Sequence, residues 1–442
     1  MAAPTTDAAW YAQDERLLAG VEKLRFFPQV AASGQGAVLT TPEGRQVLDL
    51  SASWTATGLG LGHPGVADAV SRAVRAPAGG SLLSGTHPDA VLLARELLAV
   101  VPTRGEDRQV YLGHAGSDAN DMAVAAARHA TGRERIVAFR GGYHGGIGRS
   151  RGVSGVHVEA GVPAEDGLVL VPYPDPYRPW CEGDLLAATL SEVREALSAG
   201  DVAAVMVEPI QCDGGVVVPP DGFLPGLRAL CDEFGTLLVV DEVKAGMGRT
   251  GHLLAHRHEQ VEADLVTLGK ALGNGLPVSA TVGPTAALGT PVASALMTTV
   301  GNPVCCAAAR AVLAALADGE LAARAVALGD RARARLNDYL ASGRPGAARV
   351  GDVRGRGLLL GVELVEAGST DPDAALAATT SFAGWGHGVV AYPVRDNVLE
   401  ITPPLTIGEE ELDLALDRLL DALDAAARGE VDPADLAAYS GW

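Results

Sequence analysis

From about residue 108 to 285 one pattern recurs: a short apolar run without alternation, then a helix-like segment. Arg108–Gly113, Arg135–Phe139, Val202–Val207, Thr236–Val243 and Leu265–Leu268 read as strands. Helices are predicted over Ser117–Ala130 and Leu224–Phe234. Strands that are apolar on both faces need cover on both faces, so the fold class is α/β with a large, mostly parallel central sheet. Gly301–Asn337 reads as largely helical, rich in Ala and Leu. After Gly351 the pattern changes. RGRGLLLGVELV, GVVAYPV and VLEITPP predict a small sheet, and Glu409–Arg428 an amphipathic helix on it. Near the start, GAVLTTPEGRQVLDL predicts two short strands around a Pro-Glu-Gly turn. The expected organisation is a large domain over 66–320 and a smaller α+β domain built from both ends, 1–65 and 321–442.

The 442 residues carry a net charge of −20 and no basic stripe, which excludes a nucleic-acid partner. Apolar runs are short and interrupted, so no membrane span is expected. Asp7, Asp14 and Glu15 occupy the place of an apolar leader, so no signal peptide is expected either. The five cysteines, an odd number, read as free thiols in a reducing compartment. A soluble cytoplasmic enzyme is the resulting expectation.

Of the 34 positive residues only three are lysines: Lys23, Lys244 and Lys270. An amine can lose its proton and attack a carbonyl, whereas a guanidinium stays charged. A lysine retained among so many arginines is a candidate for chemistry. Lys23, in a charged stretch, reads as solvated. Lys244 and Lys270 follow apolar strands.

Gly113-His-Ala-Gly-Ser-Asp-Ala-Asn120 is a Gly-rich turn from strand to helix. Gly116 allows close backbone approach, Ser117 adds a hydroxyl, and the helix start adds open N–H groups, which together suit a phosphate. An ordinary capped helix is the plainer alternative. Asp241 ends a strand where α/β proteins bind ligands. Lys270 follows 29 residues later at the next strand end. The two form either a buried ion pair or a Schiff-base lysine with a carboxylate for a pyridine nitrogen. Phosphate site, lysine and aspartate are the three anchors of pyridoxal 5′-phosphate. Tyr143-His144, in RGGYHGG, offers an aromatic face for the ring, and Trp54, in LSASWTATG, is a candidate substrate wall. Either aromatic could instead be a packing residue.

The ordered set GSDAN, YHG, VEPIQ, DEVKAGMGRTG, LGKALGNGLP, TTVGNP and RGRGLLLG resembles the class III aminotransferases over nearly the whole chain. Those are fold-type-I pyridoxal-phosphate enzymes. The resemblance implies that Lys270 binds the cofactor covalently, Asp241 pairs with its ring nitrogen, and Gly116 and Ser117 hold its phosphate. Tyr143 would stack on the ring, with His144 beside it, Val243 on the opposite face, and Glu208 lining the pocket. Thr298 would reach the cofactor of a neighbouring subunit in a homodimer, or dimer of dimers, with sites at the subunit interface.

Two positions depart from the commonest pattern of that family. Lys244 stands where most members have Gln, a donor to the cofactor's phenolic oxygen. Asp213 lies five residues after Glu208. With VPYPDPYRP, EITPPLT and a terminal SGW, these features resemble the subgroup that contains α-amino-ε-caprolactam racemase. Isoleucine 2-epimerase shares the broader pattern less closely. The resemblance to α-amino-ε-caprolactam racemase implies that an aspartate at the position of Asp213 works with the Schiff-base lysine as a two-base pair. Racemisation removes a proton from one face of a carbon and returns it on the other, so a second acid/base is needed, and burial that raises the pKa of Asp213 would suit it. The bland alternative is a turn-former in Asp-Gly-Gly. The leading expectation is racemisation or epimerisation of a small amino acid, amino amide or amino lactam. An aminotransferase is the alternative, and a non-catalytic cofactor-binding protein a third. His252, His256 and His258 form a basic loop with a weak case for a metal. Cys305-Cys306 reads as packing, and Arg395 is a weak candidate for a substrate carboxylate.

Overall fold

The computed structural model describes residues 4–76 and 78–439, so the terminal SGW lies outside the described residues. The chain forms two compact units. The larger comprises Ala56–Gly58 and Pro64–Ala325, and the smaller Met1–Thr55, Leu59–His63 and Val326–Trp442.

The larger unit holds a seven-stranded sheet: β1 (Arg108–Gly113), β2 (Arg135–Phe139), β3 (Leu168–Val171), β4 (Val202–Val207), β5 (Leu237–Asp241), β6 (Leu265–Leu268) and β7 (Ser279–Pro284). The spatial order is β1-β7-β6-β5-β4-β2-β3. Strand β7 runs antiparallel to both its neighbours, while the pairs among the other strands are parallel. Segment 269–278 between β6 and β7 explains the reversal, since it is shorter than the dozen or so residues a parallel crossover needs. The sequence reading missed β3 and β7. The LVLV run of β3 is as long and as apolar as that of β6 and carried the signal, whereas the mixed SATVGP of β7 carries little. Strand β5 stops at Asp241, not Val243, because the Val243 amide donates to the Asp241 carboxylate at 3.0 Å and turns the chain.

Every residue of β4 is buried, as its unbroken apolar run requires. Ala123, Ala126 and Ala127 of the Gly116–Thr131 helix pack in one cluster with Met206, Val239 and Leu265. Their small side chains let the helix lie close to the sheet. Each fully buried Val or Leu there contributes about 1.5–3 kcal/mol. The helix stops at Gly132, which takes the left-handed conformation that closes helices (φ 66).

In the smaller unit, Ser33–Gln35, Val38–Thr40 and Gln46–Asp49 form a sheet completed by Val389–Val390, parallel to Gln46–Asp49. The two ends of the chain thus share one sheet. A second, antiparallel sheet has the order Val350–Arg356, Leu359–Leu364, Val398–Ile401, Tyr392–Val394. The Glu409–Ala427 helix sets Asp413, Asp417 and Asp421 against Arg331, Arg335 and Arg344. Such solvent-facing pairs are individually weak. Lys23 corrects the sequence reading. Its side chain is 8% exposed, with Nζ 3.2 Å from Asp14 Oδ2 and 3.3 Å from Glu15 Oε1. It is a buried fastener of the N-terminal helix, not a solvated residue.

Among the described residues no helix is long and apolar enough to cross a membrane. All five cysteines are free thiols.

Candidate active site

The parallel strands end together on the side where open α/β sheets hold ligands. After β1 come Gly116 and Ser117, after β2 Tyr143 and His144, and after β4 Glu208. β5 ends on Asp241 and is followed by Val243 and Lys244, and β6 is followed by Lys270. All of these residues, with Asp213, line one cavity of about 310 Å³. Topology therefore gathers residues spread over more than 150 positions.

At one wall the Gly116–Thr131 helix begins. The Asp118 carboxylate accepts from the His114 and Ala115 amides at 2.5 and 3.0 Å. The Gly116 and Ser117 amides find no acceptor among the described residues. The Ser117 hydroxyl oxygen accepts from the Gly146 amide at 3.1 Å, which leaves its proton to donate. Open amides at the positive end of a long helix suit a phosphate. A Cβ at Gly116 would stand 2.6 Å from Val243 Cγ1. Gly116→Ala should push Val243 into the cavity at a cost of about 1–3 kcal/mol. We expect at least tenfold weaker retention of the cofactor, measured by absorbance titration. Unchanged affinity would show that this wall does not hold it.

Asp241 is buried behind the cavity. Its Oδ2 accepts from Asn120 Nδ2 at 2.7 Å and from His144 Nδ1–H at 2.9 Å. Its Oδ1 accepts from the Val243 amide at 3.0 Å and the Thr267 hydroxyl at 3.4 Å. Burial disfavours the His144 cation, but the bond and charge of Asp241 outweigh it and raise the His144 pKa. All four of these contacts are donated to the Asp241 carboxylate, so its orientation in the cavity wall is fixed from both oxygens.

Lys270 takes a left-handed backbone conformation (φ 44) and opens a short turn, Lys270–Gly273. For a residue other than Gly this costs on the order of 1 kcal/mol, a strain typical of functional positions. Glu208 joins two loops: Oε1 accepts from the Tyr143 amide at 2.9 Å and Oε2 from the Cys212 amide at 3.1 Å. Burial pushes its pKa up to about 7, with His144 opposing and Asp241 adding. Tyr143 is pushed up to about 12 by burial and by Asp213, so its phenol is neutral.

Asp213 is a turn residue and a cavity residue at once. The Gly215 and Val216 amides both donate to the Cys212 carbonyl, at 3.0 and 2.9 Å, and Gln211 pairs with Val217. The turn presents the Asp213 carboxylate to Lys244, whose Nζ lies 3.0 Å from Oδ1. The expected rise in its pKa does not occur. Burial raises it, but Lys244 and Lys270 outweigh burial and hold the carboxyl below its usual range.

Thr298 is exposed and does not line the cavity of its own chain. Trp54 belongs to the smaller unit, where it stacks on Tyr392 with ring centroids 4.6 Å apart. It sits in a run, Ala52–Thr55, whose φ values lie between 47 and 65. Arg395 is exposed in a tight turn of that unit. His256 donates to Glu242 at 2.7 Å in the core, and His252 meets His258 edge-on. No metal-binding group of three or more acidic, His or Cys side chains occurs among the described residues. Sequence reading passed over Asn120 and Thr267, which fix Asp241. Asn120 lies three residues after Ser117, on the same helix face, and that spacing is the signal that points to it.

A carboxylate for a ring nitrogen, an amine, an aromatic face and an anion cradle in one cavity fit pyridoxal 5′-phosphate. The family model described as Aminotransferase class-III matches residues 21–423. The chain belongs to the class III aminotransferases. Isoleucine 2-epimerase of Lentilactobacillus buchneri is 33% identical over 97% of both chains. Acetylornithine aminotransferase of Corynebacterium efficiens is 38% identical, over 87% of this chain and 90% of that protein. An ornithine aminotransferase structure from Toxoplasma gondii, with partial occupancy of the cofactor at its active site, superposes with a TM-score of 0.83 at 27% identity, covering 96% of each chain. This class III enzyme thus has the fold-type-I architecture and uses pyridoxal 5′-phosphate, and its relatives include both epimerases and aminotransferases.

Proposed function

We propose that this enzyme racemises or epimerises a small amino compound, an amino acid, amino amide or amino lactam, with Lys270 and Asp213 as its two bases. The observation that carries this reading is a buried carboxylate, Asp213, in the cavity of Lys270 and ion-paired to Lys244 at 3.0 Å. Gly116 and Ser117 would hold the cofactor's phosphate and Asp241 its ring nitrogen. Tyr143 and Val243 would cover the ring faces, and Lys270 would take its aldehyde. Bound there, pyridoxal phosphate supplies the electron sink that loosens the hydrogen on the amino-bearing carbon. The protein does the rest. Asn120, His144 and Thr267 keep Asp241 aimed, and Glu208 fixes the loops of Tyr143 and Asp213. Lys270 Nζ accepts or returns the proton on one face of the substrate carbon, and the Asp213 carboxylate does so on the other. Thr298, exposed and outside its own cavity, supports a homodimer in which it reaches the neighbour's cofactor. Free thiols support a cytoplasmic setting.

The second reading is an aminotransferase, which needs one base only. The 38% identity to acetylornithine aminotransferase favours it. A single enantiomer incubated in deuterated water separates the two. Loss of optical activity with α-deuterium in the recovered substrate is expected. Release of an oxo product without racemisation would establish the aminotransferase instead.

A further inference from the structure

Lys244 is one of three lysines in a chain that otherwise uses arginine, and the cavity puts it to a specific use. Its side chain is 5% exposed and that of Asp213 8%, and the two meet at 3.0 Å on the cavity wall. We infer that Lys244 is a positioning residue that sets the protonation of Asp213 and holds its carboxylate in place for proton exchange. The inference rests on the proposed two-base reading and assigns the residue that tunes the second base.

The pair is costly to build. Each ion loses several kcal/mol of hydration on burial, and their attraction offsets this only at close range. Asp213 could serve as a turn-former without Lys244, because the Gly215 and Val216 amides close the turn on the Cys212 carbonyl, not on the carboxylate. The ion pair therefore adds nothing the turn needs. What it adds is charge control. The groups acting on Asp213 are Lys244, Lys270 and His157, which favour its ionised form, and Glu208 and Tyr143, which lie near it. Lys270 is expected to be committed to the cofactor, which removes much of its positive charge from this balance. His157 is half-buried and its pKa is lowered, by burial first, so it is largely neutral near pH 7. Lys244 is then the cation that remains. A buried carboxyl without it would follow burial upward, become protonated near neutral pH and stop accepting a proton. An arginine keeps the charge but presents a broad planar head in place of a compact ammonium.

Full-length holoenzyme with 13C-carboxyl-labelled aspartate, titrated by NMR, tests this directly. Asp213→Asn identifies the resonance. In Lys244→Met the Asp213 midpoint is expected to rise by about one to two pH units. The acidic limb of α-deuterium exchange is expected to rise with it. Lys244→Gln serves the same purpose if the Met variant fails to fold, and Lys244→Arg should restore the midpoint at least in part. A midpoint and limb that stay in place in both neutral variants overturn the inference. If Asp213→Asn leaves racemisation untouched, the two-base reading itself is wrong, and that result is distinct from a failure of Lys244 alone.

Discussion

Lys270→Arg is expected to abolish turnover, by about 10⁴-fold or more, without unfolding the protein. The replacement keeps a cation at the end of β6 but supplies no amine that can lose its proton, so it can neither bind the aldehyde nor carry the substrate's proton. Folding should survive because arginine keeps a long cationic side chain there and leaves the backbone turn between Gly269 and Asn274 unchanged. Borohydride reduction followed by peptide mass mapping checks the assignment cleanly, since only Lys23, Lys244 and Lys270 exist to be labelled. The adduct should sit on Lys270 and be absent in the arginine variant. An adduct on Lys244 would reassign the cofactor's anchor and with it every role proposed for the cavity.

Asp213→Asn is expected to separate exchange from racemisation. Asn is nearly the same size but cannot accept a proton as a carboxylate does. With one base removed, interconversion of enantiomers should fall by about 10²–10⁴-fold, the usual contribution of a positioned acid/base. Lys270 still serves its own face. One enantiomer should therefore go on acquiring α-deuterium with retention of configuration, while the other acquires almost none. Chiral chromatography with mass spectrometry, run from each enantiomer in turn, reads both quantities. Equal exchange into both enantiomers, or racemisation at the wild-type rate, would mean that a single base or another group serves both faces. The change also removes the Asp213 charge from beside Lys244 in a buried site, so a thermal melt of the variant belongs beside the kinetics.

The two predictions draw on unequal parts of the sequence. Lys270 was legible because its amine is rare in this chain and follows an apolar strand at a fixed distance from Asp241. Gly116 and Ser117 were legible because a Gly-rich turn into a helix has a local signature. The central strands were legible because burial on both faces leaves an unbroken apolar run, as in VAAVMV. β7 was not, because its Ser, Thr and Gly residues give no such run.

What the sequence alone determined, then, is whatever depends on local pattern: the sheet class, the strand ends that border the cavity, and which amine and carboxylates are candidates there. What only the tertiary structure decided depends on contacts between distant segments. It paired Lys244 with Asp213 across 31 residues and reversed the expected direction of the Asp213 pKa. It set Asn120 on Asp241 across 121 residues, and buried Lys23. Charge and hydration at a site are sums over everything nearby in space, and neighbours in space are set by how the strands are ordered in the sheet, which no short window of sequence contains.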